Sequence, residues 1–281
     1  MSTLVPPLFA GLVDDASLLP PGVTGFREVL EAHAKHRSAW YAGLVGSLLV
    51  PSSLVDLDLS PRGLVVGVVN DAALSALPTV VAKLRSAGAV VTRVEAAVAR
   101  RGEDPQPGLG ALRTLAAEEP DLDVYAEIPL SWGLLAGLDT VAGQRAEGWR
   151  IAPKFRVGGL AAELFPTPVE LAAVICACRD RDLPFKLAAG LRHALRHTDP
   201  ETGFTHHGFL NVLVASAAAA DGAEVAEVAE ALGATHPVPL IEPARIRRDE
   251  PRPLWAGFGA PNVLEPLTEL IRLGLINGGY E

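Results

Sequence analysis

Short apolar runs and longer amphipathic segments alternate along this chain, and that alternation restricts the fold more than any single motif. Runs rich in Val, Leu and Ala fall at 8–15, 43–50, 64–71, 89–98, 123–129, 150–156, 184–191 and 254–259. Between and after them, helical periodicity marks 25–37, 73–87, a segment near 109–118, 131–146, 167–180, 207–233 and 262–273. Strands that read as near-continuous apolar runs are covered on both faces, as in parallel sheets. Eight of them alternating with helices in 281 residues predict an α/β fold, a (β/α)₈ TIM barrel. No linker, low-complexity segment or charge run divides the chain, so residues 1–281 are expected to form a single barrel domain. An open doubly wound sheet is the competing architecture. It wants a Gly-rich phosphate turn after an early strand, and none is present.

In a barrel the chemistry sits at the C-terminal ends of the strands, and residues two apart share a face. The strand ends here are polar. The first ends in Asp14 and Asp15, the third in Asn70 and Asp71, the fourth carries Arg93 and Glu95, and the fifth Tyr125 and Glu127. Lys154 and Arg156 share a face of the sixth strand, and Lys186 lies on the seventh. Unpaired interior charges cost several kcal/mol each, as an order of magnitude. Two uses are open for Arg93, Arg156, Glu95 and Glu127: a structural ion-pair layer or a functional site.

The two lysines are set apart by composition. Of 24 basic residues only Lys35, Lys83, Lys154 and Lys186 are lysines. Arginine is the better structural ion-pair partner because of its fixed fork and permanent charge. A lysine kept on each of two neighbouring strands points to an amine that must lose its proton. With Arg156 on its own face and Lys186 beside it, Lys154 is surrounded by cations. The deeper of the two amines is therefore expected to be neutral near pH 7 and nucleophilic.

APKFRVGG (152–159) and PFKLAAGLR (184–192) resemble the strand-six and strand-seven motifs of class I aldolases, above all the deoxyribose-phosphate aldolase family. The resemblance covers about forty residues. It implies that Lys154, with Gly158 four residues on, forms a Schiff base with a carbonyl substrate. It also implies that Lys186, followed by Ala188, Ala189, Gly190, Leu191 and Arg192, is the neighbouring amine. The chain departs from that family in its HALRHTDPETGFTHHGF segment and in lacking a clear acidic proton relay, a role open to Glu95, Glu127 or Asp15. The DDA…PPG start and the HHGFLNV segment are similar to actinobacterial proteins of unassigned function, a likeness that brings no chemistry with it.

Four of the seven histidines crowd behind Lys186: His193, His197, His206 and His207. Positions i and i+4 of a helical turn can reach one ion, so a divalent metal ion is the alternative to cofactor-free chemistry. Neither H-E-x-x-H nor a Cys-containing zinc pattern is present. TDPETG has turn chemistry, and the segment from 192 to 207 is longer than an ordinary βα loop. It is expected to emerge at the mouth, with His193 or His207, the latter a candidate proton carrier, within about 8 Å of a lysine amine by the scale of one bridging water. His33 and His36 read as an exposed helix face. Asp15, Asn70, Arg93 and Arg156 are candidate substrate contacts. Gly158, Gly159, Gly190, Gly257 and Gly259 are candidate anion-cradling turns, the last two before a helix N-terminus. Gly-Gly-Tyr-Glu at the C-terminus reads as a tail.

A net charge of −9 without a Lys/Arg block argues against nucleic acid, and aromatics are scarce at 5%. The longest apolar stretch, 40–55, contains Gly and Pro and is too short for a bilayer. The N-terminus lacks the basic flank of a signal peptide. Cys176 and Cys178 fall on one helix and suit a reduced, cytoplasmic setting. The expected partner is a small-molecule substrate. A homo-oligomer remains open, with the cysteine helix as core or interface. The reading of function is a lyase of class I aldolase type acting on a small carbonyl compound, neutral or anionic. The alternatives are a metal-dependent hydrolase or lyase and a small-ligand-binding barrel without chemistry.

Overall fold

The computed structural model describes residues 5–20, 25–54 and 63–278. Three residues of the expected C-terminal tail, 279–281, lie outside them. Eight parallel strands close into a barrel: β1 (Val13–Asp15), β2 (Val45–Pro51), β3 (Val65–Asn70), β4 (Val90–Ala97), β5 (Asp123–Glu127), β6 (Ile151–Arg156), β7 (Phe185–Ala188) and β10 (Trp255–Ala260). Their order round the barrel is β1-β10-β7-β6-β5-β4-β3-β2. The remaining two, β8 (His197–Thr198) and β9 (Thr205–His206), form a separate antiparallel hairpin.

The helices are α1 (Phe26–Ser38), α2 (Leu77–Ser86), α3 (Gln106–Glu118), α4 (Leu134–Ala146), α5 (Pro168–Arg179), α6 (Phe209–Ala220), α7 (Val225–Gly233), α8 (Val238–Ile246) and α9 (Leu264–Arg272). Between β2 and β3 the described residues include only the 3₁₀ turn Ser52–Leu54. The helices expected over 207–233 are α6 and α7, divided at Asp221–Glu224, and α8 was not anticipated. Two prolines near the start of α8 and Pro243 inside it obscure its periodicity. Among the described residues no helix is long and apolar enough to cross a membrane.

Local chemistry accounts for these elements. Thr167 caps α5 by accepting from the Glu170 amide while the Glu170 carboxylate accepts from the Thr167 amide, a reciprocal capping box ahead of Pro168. The α6 sequence FLNVLVASAAAA is apolar almost all round because it is packed against α5, α7 and α8. Along the barrel strands one parity of side chain is apolar and buried beneath the helices: Val94 and Ala96, Val124 and Ala126, Phe155, Leu187. The other parity points inward and carries the charges. At the N-terminal end the Arg252 guanidinium donates to the carbonyls of Leu8, Trp255 and Ala256, and burial lowers its pKa to about 10.

The first strand is shorter than expected. Residues 7–9 form a 3₁₀ turn, and only Val13–Asp15 pair with neighbours. The last strand runs on to Ala260, so Gly257 is inside the strand rather than in a turn after it.

Candidate active site in the barrel interior

Four ion pairs cross between strands that are not neighbours, which is possible only through the interior. Lys186 of β7 reaches Asp14 of β1 at 2.5 Å and also Glu95 of β4. Arg93 of β4 reaches the same Asp14 oxygen at 2.9 Å. The series continues through Lys154, whose Nζ is 3.0 Å from Glu95 Oε2 and 2.8 Å from Glu127 Oε2, to Arg156, whose Nε donates to Glu127 Oε1 at 3.1 Å. Seven ionised groups thus alternate in sign: Arg93, Asp14, Lys186, Glu95, Lys154, Glu127, Arg156. The Tyr125 ring lies under both Lys186 Nζ and the Arg93 guanidinium, at 5.3 and 5.9 Å from its centroid, a cation–π contact that helps hold the cations.

Register explains why these residues meet. Glu127, Lys154 and Lys186 are level across β5, β6 and β7, and Glu95 is level with Tyr125. Absent side chains make the remaining room. A Cβ on Gly46 would stand 2.1 Å from Asp14 Oδ1, and one on Gly67 would stand 2.7 Å from Arg93 Cγ. The two glycines therefore leave the space through which Asp14 and Arg93 cross the barrel. Asp14 is fixed further by the Ser47 amide, which donates to Oδ1 at 2.8 Å.

Protonation follows from the pairing. Burial alone would raise the Glu95 carboxyl, but Lys186 and Lys154 overcome it and pull its pKa down to about 2. Glu127 is lowered in the same way, burial opposing and Lys154 and Arg156 prevailing. For Lys154 burial favours the neutral amine, but Glu95 and Glu127 outweigh it and raise the pKa. This corrects the expectation that neighbouring cations would hold Lys154 neutral. An anion stands between Lys154 and each of those cations, so the resting amine is an ammonium ion. Tyr125 is pushed up to about 12, chiefly by burial.

A cleft of about 150 Å³ opens over the β4–β6 side of the mouth, lined by Arg101, Glu127, Arg156 and Glu163 on apolar walls that include Ile128 and Leu164. Lys154 itself is buried, and Glu127 is its link to the cleft.

Other expected residues are placed elsewhere. Asp15 faces outward: its carboxylate accepts from His33 Nδ1 at 2.9 Å and from the Ser17 hydroxyl at 2.6 Å. His33 is accordingly buried, not on an exposed face. Asn70 spans Ser52 and the Ala72 carbonyl at the end of β3. Gly158 and Gly190 lie against each other, a Cβ on Gly158 falling 2.9 Å from the Gly190 backbone. Close approach of the β6 and β7 ends therefore accounts for both. A Cβ on Gly159 would strike Leu164, one on Gly257 the Leu12 carbonyl at 2.5 Å, and one on Gly259 would lie 3.0 Å from Leu49.

The histidines make their hydrogen bonds to groups other than the lysines. His193 Nδ1 donates to Glu269 at 2.7 Å, His206 Nδ1 to the Gly190 carbonyl at 3.2 Å, and His207 Nε2 to the Pro166 carbonyl at 2.7 Å. His197 and His206 pair across the hairpin with rings stacked at 5.2 Å. Burial lowers the His207 pKa to about 4, so its imidazole is uncharged at neutral pH, with Nδ1 facing Arg196 Nη1 at 3.4 Å. Among the described residues no group of three or more His, Cys, Asp or Glu is placed to hold a metal ion.

Four participants, Asp14, Gly46, Gly67 and Arg101, lacked a decisive sequence signal. Asp14 and Asp15 are adjacent, and so short a strand leaves their parity open. Gly46 and Gly67 carried the weak signal of glycine inside a strand. Arg101 sits in a loop, where no periodicity points to it. No protein-family model, curated protein or solved structure matched this chain.

Proposed function

We propose that this chain is a lyase of class I aldolase type, acting on a small carbonyl compound through a Schiff base on Lys154. The observation that carries the reading is a buried primary amine shared between two carboxylates, one of which, Glu127, lines an open cleft. A substrate carbonyl entering from the cleft displaces Glu127 from Arg156. Glu127 then takes one proton from the Lys154 ammonium, and the neutral amine adds to the carbonyl carbon. Loss of water, its oxygen protonated by the Glu127 carboxylic acid, yields a protonated imine beside the Glu95 anion. Glu127, a carboxylate again, takes the proton of the substrate's β-hydroxyl as the electrons of the cleaving carbon–carbon bond pass to that imine, which releases one carbonyl fragment and leaves an enamine. Glu127 returns the proton to the enamine carbon, and hydrolysis of the resulting imine releases the second fragment and regenerates the amine. Lys186 keeps Glu95 ionised throughout. Preorganised carboxylates of this kind stabilise the cationic imine without reorganisation at the moment of reaction.

Borohydride trapping with a panel of aldehydes and ketones, read by peptide mass mapping, tests the proposal. A reduced adduct on Lys154 supports it. An adduct on Lys186 moves the nucleophile one strand along. No adduct on either lysine across the panel overturns it.

A second reading, a small-ligand-binding barrel, is favoured by the complete internal pairing that keeps Lys154 protonated. Retained ligand binding in Lys154→Ala, with no turnover by the parent protein of any compound tested, would support that reading instead.

A further inference from the structure

We propose that Arg101 and Arg156 together bind the oxyanion end of the substrate. The compound taken by the site is then a short-chain oxo acid or oxo phosphate ester, not a neutral aldehyde or ketone. This rests on the reading of Lys154 as nucleophile.

The alternating series contains four cations and three anions. It ends in arginine at both ends, but the ends differ. The Arg93 side chain is 21% exposed and faces Asp14, whereas that of Arg156 is 47% exposed and lines the cleft. The surplus positive charge is therefore presented to the cleft. Arg156 uses only Nε on Glu127, and among the described residues its two terminal nitrogens have no partner. Arg101 comes from the loop after β4. Its Nη1 donates to the carbonyls of Leu130 and Glu163, both at 3.2 Å, which tethers the guanidinium at the cleft. Nε and Nη2 of Arg101 have no partner among the described residues.

Two guanidinium groups, each anchored through one nitrogen and free at the others, form a receptor for a planar carboxylate or a phosphate. The apolar walls beside the arginines lower the local dielectric and so strengthen such contacts. Glu127 is already shared between Lys154 and Arg156. Glu163 is the other acid on the wall, placed to accept from a substrate hydroxyl and to weaken binding of a more highly charged anion. At about 30 Å³ per water, the cleft of about 150 Å³ holds a compound of a few carbons. With the oxyanion on the arginines, the carbonyl lies toward Glu127 and so toward Lys154.

The test is calorimetric titration of the full chain with pyruvate and with inorganic phosphate at low ionic strength. Borohydride trapping runs in parallel with pyruvate and with acetone. Binding of at least one anion is expected, weakened roughly 10- to 100-fold by Arg101→Gln and by Arg156→Gln. Arg113→Gln, on an exposed pair with Glu147, should bind as the parent does. Arg101 is exposed, so its variant tests the site even if Arg156→Gln fails to fold. Stronger binding of pyruvate assigns a carboxylate, and stronger binding of phosphate a phosphate ester. Loss of binding in both arginine variants without any trapped adduct would leave the anion site standing and remove the nucleophile reading. Equal trapping of acetone and pyruvate on Lys154, indifferent to Arg101→Gln, would overturn the anion site alone. No binding of either probe, or equal loss in Arg113→Gln, also overturns it.

Discussion

Glu95→Gln is the substitution that most directly tests the interior charge series. Glu95 is the one anion shared by both lysines, 3.0 Å from Lys154 Nζ and in contact with Lys186 Nζ. Two unit charges 3.0 Å apart interact by about 5–6 kcal/mol at an effective dielectric constant near 20. Much of that is already spent against desolvation. Glutamine keeps the shape, but its amide can accept from only one amine and turns an N–H toward the other. The net loss expected is about 3–5 kcal/mol, the usual cost of removing one partner from a buried ion network. Urea unfolding should show this as a lower midpoint with an unchanged slope. The decisive comparison adds Lys186→Met. In the double variant Arg93 still faces Asp14, and Lys154 still faces Glu127 beside Arg156, so no lysine lacks a carboxylate. Glu95→Gln combined with Lys186→Met should therefore recover at least half of the loss. Each substitution removes a partner of the same pair, so strong non-additivity is required. Simple addition of the two single losses would refute the alternating series as the organising feature of the interior.

Stability should fall with acid in two windows. The His207 imidazole is lowered from 6.5 to about 4 by burial. The unfolded chain therefore binds the extra proton first, and a contribution of roughly 3 kcal/mol, complete above pH 6.5, is lost down to pH 4. Glu95 is lowered from 4.5 to about 2. Its similar contribution, complete above pH 4.5, is lost as pH falls through 2. Urea titrations at stepped pH check both, and His207→Gln should flatten the upper window only. Gly46→Ala should destabilise by about 1–3 kcal/mol because its Cβ would stand 2.1 Å from Asp14 Oδ1. Gly110→Ala, at an exposed position of α3 with nothing within 4 Å, should instead stabilise by roughly 0.5–1 kcal/mol, and thermal melts of the pair compare the two. Thr167→Ala, which removes the α5 cap, should cost about 1 kcal/mol in the same assay.

The barrel was legible in the sequence because its evidence is local. Runs such as LVVGVV and GLVGSLLV are largely apolar on both parities, and helices such as 26–38 follow their own period. Lysine scarcity likewise singled out Lys154 and Lys186, and period-two alternation grouped Arg93 with Glu95 and Lys154 with Arg156. The sign of the environment was not legible. Neighbouring strands suggested that cations would surround Lys154, but the interior places Glu95, from two strands away across β5, between the lysines. That placement depends on register and on the glycines that let Asp14 and Arg93 cross the barrel. The partners of the histidines were not legible for a related reason: spacing brought four of them to one loop, while packing turned His207 to Pro166 and His193 to Glu269. Sequence determined which strands and which charged groups the protein has, because periodicity and composition act over a few residues. Tertiary structure alone decided which charges meet, because the ion pairs across the closed barrel join residues up to 172 positions apart and are set by strand register.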